Sequence, residues 1–356
     1  MKSALRIAML HKTLPGSSGG GVVWQVHQLS NALEAAGHAV TVFSFSDRPA
    51  DARYDVHRAG PPAVLRGPAS KLFSSPWHYA QQSYDSFDVL HAHGDDLLLH
   101  RHRPPHVRTY YGSSLSEAQH ATTVRGRAFH LCGYALELAS SFRADVRVAI
   151  SEAVRRHVPR IDAVVPCGVD LTLFKPDGEK SAMPSVLFVG TWRGRKRGAL
   201  LHDLFQNAVR PRLPDAQLWM VCEDGELARI NAAGVKVFTR IAASELAALY
   251  RRAWVCCHPS TYEGFGLPYV EAMASGTAVL ASPNSGAREI LGDGNGGVIA
   301  TDDELANALM HLLTNANVRR EMADAGVKKA ARYAWCHVVA QYEQAYVLAA
   351  GRSTVH

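Results

Sequence analysis

The chain has 356 residues, which is too long for one ordinary hydrophobic core and suits two domains of common size. A composition of 47% hydrophobic and 20% charged residues excludes an intrinsically disordered protein. The formal net charge of +6 favours an anionic ligand, but the charges are too dispersed to require nucleic acid, and phosphate-bearing small molecules fit equally well.

Strand-like and helix-like segments alternate through the N-terminal half. A strand from Arg6 to Leu10 is followed by a glycine-rich loop, by a helix that ends near Gly37, and by a strand from Ala39 to Phe45. Further strands are predicted over 88–93 and 147–150, and Ser151 can cap the helix that follows. Such alternation predicts a parallel sheet that is covered by helices on both faces.

The second half repeats this plan. The segment 171–184 contains Pro176, Gly178 and Pro184 among charged residues and is typical of a linker. A strand over 185–190 then restarts the strand-then-glycine pattern. Further strands are predicted over 217–222, 235–238, 254–258 and 278–282, and a helix over 335–350. The predicted divisions are an N-terminal Rossmann-like domain 1–170, the linker 171–184, a C-terminal Rossmann-like domain 185–333 and a final helical segment 334–356.

The most informative motif runs from His258 to Gly276. A strand ends, glycines turn the chain, and Pro268 begins a helix at a position where its missing amide hydrogen costs nothing. The amides and the dipole at the helix N-terminus can hold a phosphate or sugar hydroxyls. Gly264 and Gly266 let the backbone approach such a ligand closely.

Two acids flank this turn at a defined spacing. Glu263 precedes the turn and Glu271 lies one turn into the helix, where both can accept hydrogen bonds from hydroxyl groups. A strand–turn–helix corner with solvated glutamates is the alternative. The segments E-G-F-G-L-P (263–268) and E-A-M-A-x-G (271–276) together resemble the Glu-x7-Glu signature of family 4 of the retaining glycosyltransferases. The resemblance implies that the first glutamate contacts the donor sugar and the second the ribose.

A cationic loop follows the strand that starts the second half. The stretch from Val189 to Gly198 carries Arg193, Arg195, Lys196 and Arg197, and fixed cations here would stabilise charge on a departing diphosphate. An arginine-rich surface loop is the alternative. The resemblance places Lys196 at the lysine of the family. The arginine that usually follows the glycine is Thr191 here, so Arg193 or Arg195 would replace it.

The resemblance covers nearly the whole chain, most strongly over 186–289. It implies the GT-B fold, an α/β architecture of two Rossmann-like domains whose parallel sheets face each other across a cleft. The last helix would cross back to the N-terminal domain. The glycines at 19–21 would approach the donor diphosphate, the turn 223–226 and the loop at 239–240 would surround the base, and Tyr111 stands where the family commonly has a histidine.

The candidate residues fall into three groups. The catalytic candidates are Glu263, Lys196 and Arg193. The donor-binding candidates are Gly20, Gly21, Gly190, Arg195, Arg240, Gly264, Phe265, Gly266, Leu267 and Glu271. The acceptor-side candidates are Tyr111, His120, His93 and Trp24.

Metal and cofactors are not expected. His91 and His93 have a spacing that metal ligands can have, but the sequence offers no evident third ligand and no D-x-D triplet. The predicted enzyme is therefore metal-independent and needs no cofactor, and the resemblance implies a retaining glycosyltransferase of the hexosyltransferase type. Its donor substrate is a nucleotide sugar, with a UDP-sugar favoured, and the acceptor is a saccharide, a lipid-linked or a small molecule.

Other activities fit the same pattern less well. A sugar-phosphate synthase or nucleotide-sugar epimerase would use the same fold, and a non-catalytic nucleotide-sugar binding module would use the same site. A nicotinamide-dependent oxidoreductase is disfavoured because no G-x-G-x-x-G follows the first strand.

The expected location is the cytoplasm. Arg6 interrupts the short N-terminal apolar stretch, and no apolar run reaches the roughly 18 residues of a membrane span. The basic balance would help a peripheral contact with the inner membrane surface. No nucleic-acid partner is expected, and the oligomeric state is left open. The six cysteines form no C-x-x-C pair and are expected to be reduced core residues.

Overall fold

The computed structural model describes residues 4–16, 20–60, 68–99, 103–121, 123–222, 230 and 232–353. The chain divides into two compact units. The first unit comprises the chain up to Gly168 together with the chain from Trp335 onward, and the second unit comprises Val169–Ala334. The segment 171–184, predicted as a linker, is packed within the second unit, where Lys180 Nζ donates to Thr277 Oγ1 at 2.8 Å.

The first unit contains a seven-stranded parallel sheet with the strand order β3-β2-β1-β4-β5-β6-β7. Its strands are β1 (Arg6–Leu10), β2 (Ala39–Ser44), β3 (Asp55–Arg58), β4 (Val89–Ala92), β5 (His106–Tyr110), β6 (Val146–Ala149) and β7 (Ala163–Val164). Its helices are α1 (Gly21–Ala35), α2 (Pro68–Ala80), α3 (Ser114–His120), α4 (Val124–Ser141), α5 (Glu152–Arg155) and α12 (Trp335–Ser353), the last in the chain.

Alternate residues of each strand lie on opposite faces of this sheet, because successive side chains in a strand point to opposite sides. Ile7 and Met9 of β1 pack in one cluster with apolar residues of α1 and α12. Ala8 and Leu10 belong to a second cluster, which includes Tyr79 of α2. Both faces of the sheet are therefore buried, as the alternating sequence pattern predicted.

Local signals read from the sequence are confirmed at the ends of the elements. Gly37 follows α1 with φ of 94°. The side chain of Ser151 caps α5 by accepting a hydrogen bond from the amide of Val154 at 3.1 Å. Pro268 lies in the first turn of its helix, where proline is tolerated.

The second unit contains a six-stranded parallel sheet with the order β10-β9-β8-β11-β12-β13. Its strands are β8 (Ser185–Val189), β9 (Gln217–Val221), β10 (Val235–Phe238), β11 (Val255–His258), β12 (Ala278–Ala281) and β13 (Gly297–Ile299). Its helices are α6 (Gly198–Leu204), α7 (Ala243–Arg252), α8 (Leu267–Ala274), α9 (Ser285–Leu291), α10 (Leu305–Thr314) and α11 (Ala316–Ala330).

The strand order of the second sheet is that of a Rossmann fold, with the chain reversing its direction of winding between β8 and β11. Ligands of such sheets bind beyond the carboxyl ends of the strands at this switch point. The loops that follow β8 and β11 therefore occupy the position in this unit where a ligand is expected.

One expectation about the cysteines is wrong. All six thiols are free, but Cys132 and Cys336 are exposed, and only the other four are buried. Cys132 lies on α4 and Cys336 on α12, so these two residues are not part of a core.

The last helix is joined to the first sheet by buried hydrogen bonds. The hydroxyl of Tyr346 lies 2.9 Å from Nδ1 of His91, and Nε2 of His91 lies 2.8 Å from Oγ1 of Thr109. The hydroxyl of Tyr342 lies 3.2 Å from the same Thr109 oxygen. Burial lowers the pKa of His91 to about 3, so its imidazole is neutral and can donate from one nitrogen and accept at the other.

We predict that Tyr346→Phe lowers the free energy of unfolding of the first unit by about 1–3 kcal/mol, because a buried His91 nitrogen loses its partner. Chemical denaturation monitored by fluorescence measures the change. Tyr79→Phe is the matched control, since the buried Tyr79 hydroxyl has no hydrogen-bond partner among the described residues. Equal losses in the two variants would contradict the assigned role of the hydrogen bond.

Candidate active site

Two side chains meet at the switch point of the second sheet. Lys196 comes from the turn after β8, and Glu263 comes from the loop after β11. Their Nζ and Oε1 atoms lie 2.6 Å apart, and both side chains are largely buried, with exposed fractions of 17% and 8%. This ion pair joins two of the three residues that the sequence analysis named as catalytic candidates.

The side chain of Lys196 packs closely against Gly190. A Cβ atom at this position would lie 3.1 Å from both Cβ and Cγ of Lys196 and 3.1 Å from Cζ of Phe188. These distances are tighter than ordinary van der Waals contacts, so a larger residue would displace the lysine stem. Gly190 is therefore needed for the Lys196 side chain to take its observed position.

The backbone of the Glu263 loop is fixed by the start of α9. The carbonyl oxygen of Glu263 accepts hydrogen bonds from the amide of Gly286 at 3.1 Å and from the hydroxyl of Ser285 at 3.2 Å. A Cβ atom on Gly286 would lie 2.6 Å from the carbonyl oxygen of Phe265 and 2.9 Å from Cβ of Glu263. The loop thus lies against bare backbone and leaves no room for another side chain.

Gly266 turns the chain into α8. Its φ of 101° is in the left-handed region, and a Cβ atom there would lie 2.4 Å from the Tyr269 ring. The helix begins at Leu267, which is half-buried, while the preceding Phe265 is buried and packs edge-on against Tyr333 with ring centroids 5.6 Å apart. The N-terminus of α8, whose dipole favours anions, therefore follows Glu263 within four residues.

Glu271 lies on α8 in the same cluster. Burial raises the pKa of its carboxyl group to about 7, while the Tyr250 hydroxyl and the positive charge of Lys196 act in the opposite direction. Lys196, Glu263 and Glu271 are therefore neighbours. Near neutral pH the Glu271 group divides between an ionised form, which accepts hydrogen bonds, and a protonated form.

Arg197, the residue after the lysine, has a role that sequence reasoning missed. Its guanidinium donates to the carbonyl oxygen of Pro259 at 2.5 Å, to Ser282 Oγ at 3.0 Å, and to both carboxylate oxygens of Asp302 at 2.6 and 2.8 Å. These three partners follow β11, β12 and β13, respectively. Arg197 therefore ties together the loops at the carboxyl ends of three adjacent strands, and the guanidinium lowers the pKa of Asp302.

The other cations of the loop remain at the surface. Arg193 is exposed, and its carbonyl oxygen accepts a hydrogen bond from the hydroxyl of Thr191 at 2.7 Å. Arg195 is exposed as well, with its guanidinium 5.8 Å from the centre of the Tyr262 ring. Both stand on the turn that carries Lys196. Arg240 follows β10 at the same edge of the sheet and is exposed, with φ of 49°.

The N-terminal candidates belong to the first unit. Gly20 caps α1 with φ of 148°, and Cβ atoms built on Gly20 or Gly21 would meet no atom within 4 Å among the described residues. Trp24, on the first turn of α1, is 39% exposed and packs edge-on against His27. The start of α1 thus presents an open backbone and an aromatic side chain. Gly19 lies outside the described residues.

Tyr111 and His93 are brought together at the ends of β5 and β4. The Tyr111 hydroxyl lies 3.2 Å from Nδ1 of His93, and the His93 ring is buried over the His91 ring at 4.1 Å between centroids. Burial lowers the pKa of His93 well below its usual value. His120 ends α3, but its side chain and the turn 223–226 lie outside the part of the chain that the structure describes.

Across the described ranges, no three His, Cys, Asp or Glu side chains come close enough together to hold a metal ion. No helix in those ranges combines the length and the apolar composition that crossing a bilayer requires.

Two family profiles match the chain. The profile described as "Glycosyltransferase Family 4" matches residues 19–173, and the profile described as "Glycosyl transferases group 1" matches residues 183–315. The group 1 match lies within the second unit, and the Family 4 match covers the first unit from residue 19 and ends five residues beyond Gly168.

Among curated proteins, the chain is similar to a phosphatidyl-myo-inositol mannosyltransferase of Mycobacterium tuberculosis, with 30% identity covering 93% of this chain and 94% of the relative. It is also similar to a D-inositol 3-phosphate glycosyltransferase of Paenarthrobacter aurescens, with 26% identity covering 93% and 94%.

Among solved structures, sucrose-phosphate synthase of Thermosynechococcus elongatus superposes with a TM-score of 0.79 at 23% identity, covering 96% of this chain and 98% of the other. Anabaena Alr3699/HepE in complex with UDP-glucose gives a TM-score of 0.74 at 17% identity, covering 96% and 98%. The structural likeness confirms the predicted GT-B fold.

We predict that Asp302→Asn loosens the loops held by Arg197, because the bidentate contact loses its negative charge. Hydrogen–deuterium exchange should show faster exchange in the peptides covering 193–198 and 259–263. The loss in unfolding free energy should stay below about 1 kcal/mol, as for other exposed ion pairs.

Asp303→Asn is the matched control, since the carboxylate of Asp303 is held by Thr301. Unchanged exchange in Asp302→Asn, or equal acceleration in both variants, would remove Arg197 and Asp302 from the ordering of these loops.

Proposed function

The chain belongs to the family 4 glycosyltransferases, and we propose that it transfers a sugar from a nucleotide diphosphate donor to its acceptor with retention of anomeric configuration. The observation that carries this proposal is the ion pair of Lys196 and Glu263 at the switch point of the second sheet, next to Glu271 and the N-terminus of α8. A cation, two hydroxyl acceptors and a helix dipole are the groups that a diphosphate-linked sugar requires.

The leaving diphosphate would take its charge stabilisation from Lys196. Negative charge on the departing phosphate grows in the transition state, and a cation that is already in place stabilises it without reorganisation. Glu263 holds the ammonium group in one direction through the contact of 2.6 Å. Arg193 and Arg195, on the same turn, would supply the second cation.

The sugar and the ribose would be bound by the two glutamates. Glu263 would accept hydrogen bonds from the donor sugar, and its buried position would set the orientation of the sugar relative to the phosphate. Glu271 in its ionised form would accept hydrogen bonds from the ribose hydroxyls. In the proposed same-face mechanism, a leaving phosphate oxygen helps deprotonate the acceptor, so no protein nucleophile, metal or cofactor takes part.

Candidates for the donor and the acceptor come from the compared proteins. UDP is favoured as the nucleotide, and one structural neighbour was solved with UDP-glucose. The names of several relatives specify mannosyl transfer, and several name an inositol compound. A mannosyl or glucosyl donor and a polyol, saccharide or lipid-linked acceptor are therefore the substrates to screen first. The acceptor-side candidates Tyr111, His93, His120 and Trp24 would serve on the first unit.

We expect Lys196→Met to lower the rate of sugar transfer about 100- to 1000-fold, because the leaving diphosphate loses its fixed cation. Nucleotide release and product formation are measured together with the melting temperature. Lys329→Met is the matched control, since Lys329, on α11, also contacts a carboxylate at 2.6 Å, that of Asp293. Unchanged turnover in Lys196→Met would exclude the lysine from the mechanism.

The same assay separates the enzyme from its alternatives. A glycosyltransferase releases nucleotide in proportion to glycosylated acceptor. An epimerase converts the donor without any acceptor, a sugar-phosphate synthase requires a phosphorylated sugar as acceptor, and a binding module releases no nucleotide.

The pH dependence of donor binding tests the role of Glu271. Its pKa of about 7 in the free protein means that below this pH a proton must leave before the carboxylate can accept the ribose hydroxyls. Donor affinity should therefore rise as the pH increases from 6 to 8, by up to about tenfold per pH unit below the pKa.

Calorimetry with an intact UDP-sugar is the suitable measurement, because both of its phosphates are esterified and do not titrate in this range. Glu271→Gln should bind more weakly and lose the pH dependence. Glu321→Gln, an exposed change on α11, should keep it. An identical pH profile in Glu271→Gln would show that this carboxyl group does not contact the donor.

A further inference from the structure

Helix α4 of the first unit presents its apolar side to solvent. A stripe of exposed residues with spacings of three or four runs along one side of the helix and consists of Val124, Ala128, Leu131, Ala135 and Ala139. Val124 is 88% exposed, Leu131 is 46% exposed, and Phe142 continues the same side just beyond the helix at 61%. A surface helix normally turns such a stripe toward its core.

Contacts away from the stripe, made by half-buried residues, fix this orientation of α4. A Cβ atom on Gly133 would lie 3.3 Å from the Ser114 hydroxyl of α3. The carboxylate of Glu137 accepts the Ser114 amide at 2.9 Å, and the hydroxyl of Tyr134 donates to the carbonyl oxygen of His157 at 2.9 Å. A rotation that buried the stripe would break both hydrogen bonds and end the close approach of Gly133 to Ser114.

Arginines border the stripe. Arg125 and Arg127 are exposed on the first turn of α4, one on each side of the stripe. A groove beside Tyr134 and Leu138 of α4 is lined by the segment 155–161, which carries Arg155, Arg156 and Arg160. The guanidinium of Arg160 lies over the exposed Phe142 ring at 4.6 Å, so the cationic and apolar groups form one surface.

The charge on this surface has one sign. Between 123 and 160, arginines 125, 127, 143, 155, 156 and 160 are exposed, whereas Glu152 is the exposed acid of this described stretch and lies 3.3 Å from Arg155. The two other acids in the stretch are engaged: Glu137 holds the Ser114 amide, and Asp145 pairs with Arg103 at 2.9 Å.

We propose that this surface, formed by the α4 stripe and its bordering arginines, docks the protein onto an anionic lipid membrane. The apolar side chains would enter the boundary between head groups and acyl chains, and the arginines would contact the lipid phosphates. A second copy of the chain is the poorer occupant, because the arginines would face one another across a symmetric contact. Nucleic acid would use the arginines but leave the exposed valine, leucine and phenylalanine in water.

The test uses the full chain and lipid vesicles, and it does not depend on sugar transfer. Co-sedimentation is measured with vesicles of phosphatidylcholine alone and with vesicles in which part of the lipid is phosphatidylglycerol. The protein should bind the anionic vesicles at least tenfold more strongly, and added salt should weaken the binding. No binding to the anionic vesicles at moderate ionic strength would overturn the proposal.

Substitutions locate the binding on α4. Val124→Ser with Leu131→Ser should reduce vesicle binding about tenfold or more by removing apolar contact area. Arg125→Gln with Arg127→Gln should reduce it about fivefold per arginine. Val347→Ser is the matched control, since Val347 is 72% exposed on α12 and its loss should leave binding unchanged.

Two outcomes would assign the surface differently. Stripe variants that bind vesicles as well as the unaltered protein would place the membrane contact elsewhere and overturn the proposal. Stripe variants that lose a dimer, seen by light scattering without vesicles, would assign the surface to self-association. Calorimetric binding of a UDP-sugar by the same variants reports on the donor site, so a failure of the proposed function is recognised separately.

Discussion

The donor site proposed here depends on one contact, the ion pair of Lys196 with Glu263. Each partner comes from a loop that follows a different strand, and the two strands flank the point where the sheet changes its winding direction. Both loops also depend on glycines. Gly190 leaves room for the Lys196 side chain, and Gly286 donates a hydrogen bond to the backbone of the Glu263 loop. The site is therefore a property of the sheet order, and its two charged side chains are placed by glycines, one within the cationic loop and one at the start of α9.

The same edge of the sheet shows how neighbouring cations divide their roles. Lys196 is held by a single carboxylate next to a helix N-terminus, whereas Arg197 saturates its guanidinium on three loops. An ammonium group that is held by one carboxylate keeps other N–H donors for a ligand while staying in place. A planar guanidinium with several contacts instead serves as a brace, since each hydrogen bond that it makes restricts the next.

Sequence reasoning reached most of this architecture because its signals are local. Alternating apolar segments, Gly37, Ser151 and Pro268 predicted where strands and helices begin and end, and the spacing of Glu263 and Glu271 predicted that they belong together. The contact between Arg197 and Asp302 joins residues 105 apart in the sequence, and composition carries no sign of it. The outward orientation of α4 also escaped prediction, because periodicity shows that a helix has an apolar side but not which way that side faces.

The hydrogen bonds of α12 bear on the order in which the protein is completed during synthesis. The core of the first unit includes Tyr342 and Tyr346, which the ribosome adds after the entire second unit has been made. The second unit is one continuous stretch of chain and can close its sheet as soon as it emerges. The first unit, whose synthesis starts first, is thus the last to be completed. Until α12 has been made, the face of the first sheet that α12 covers at β4 and β5 is exposed to chaperones and proteases.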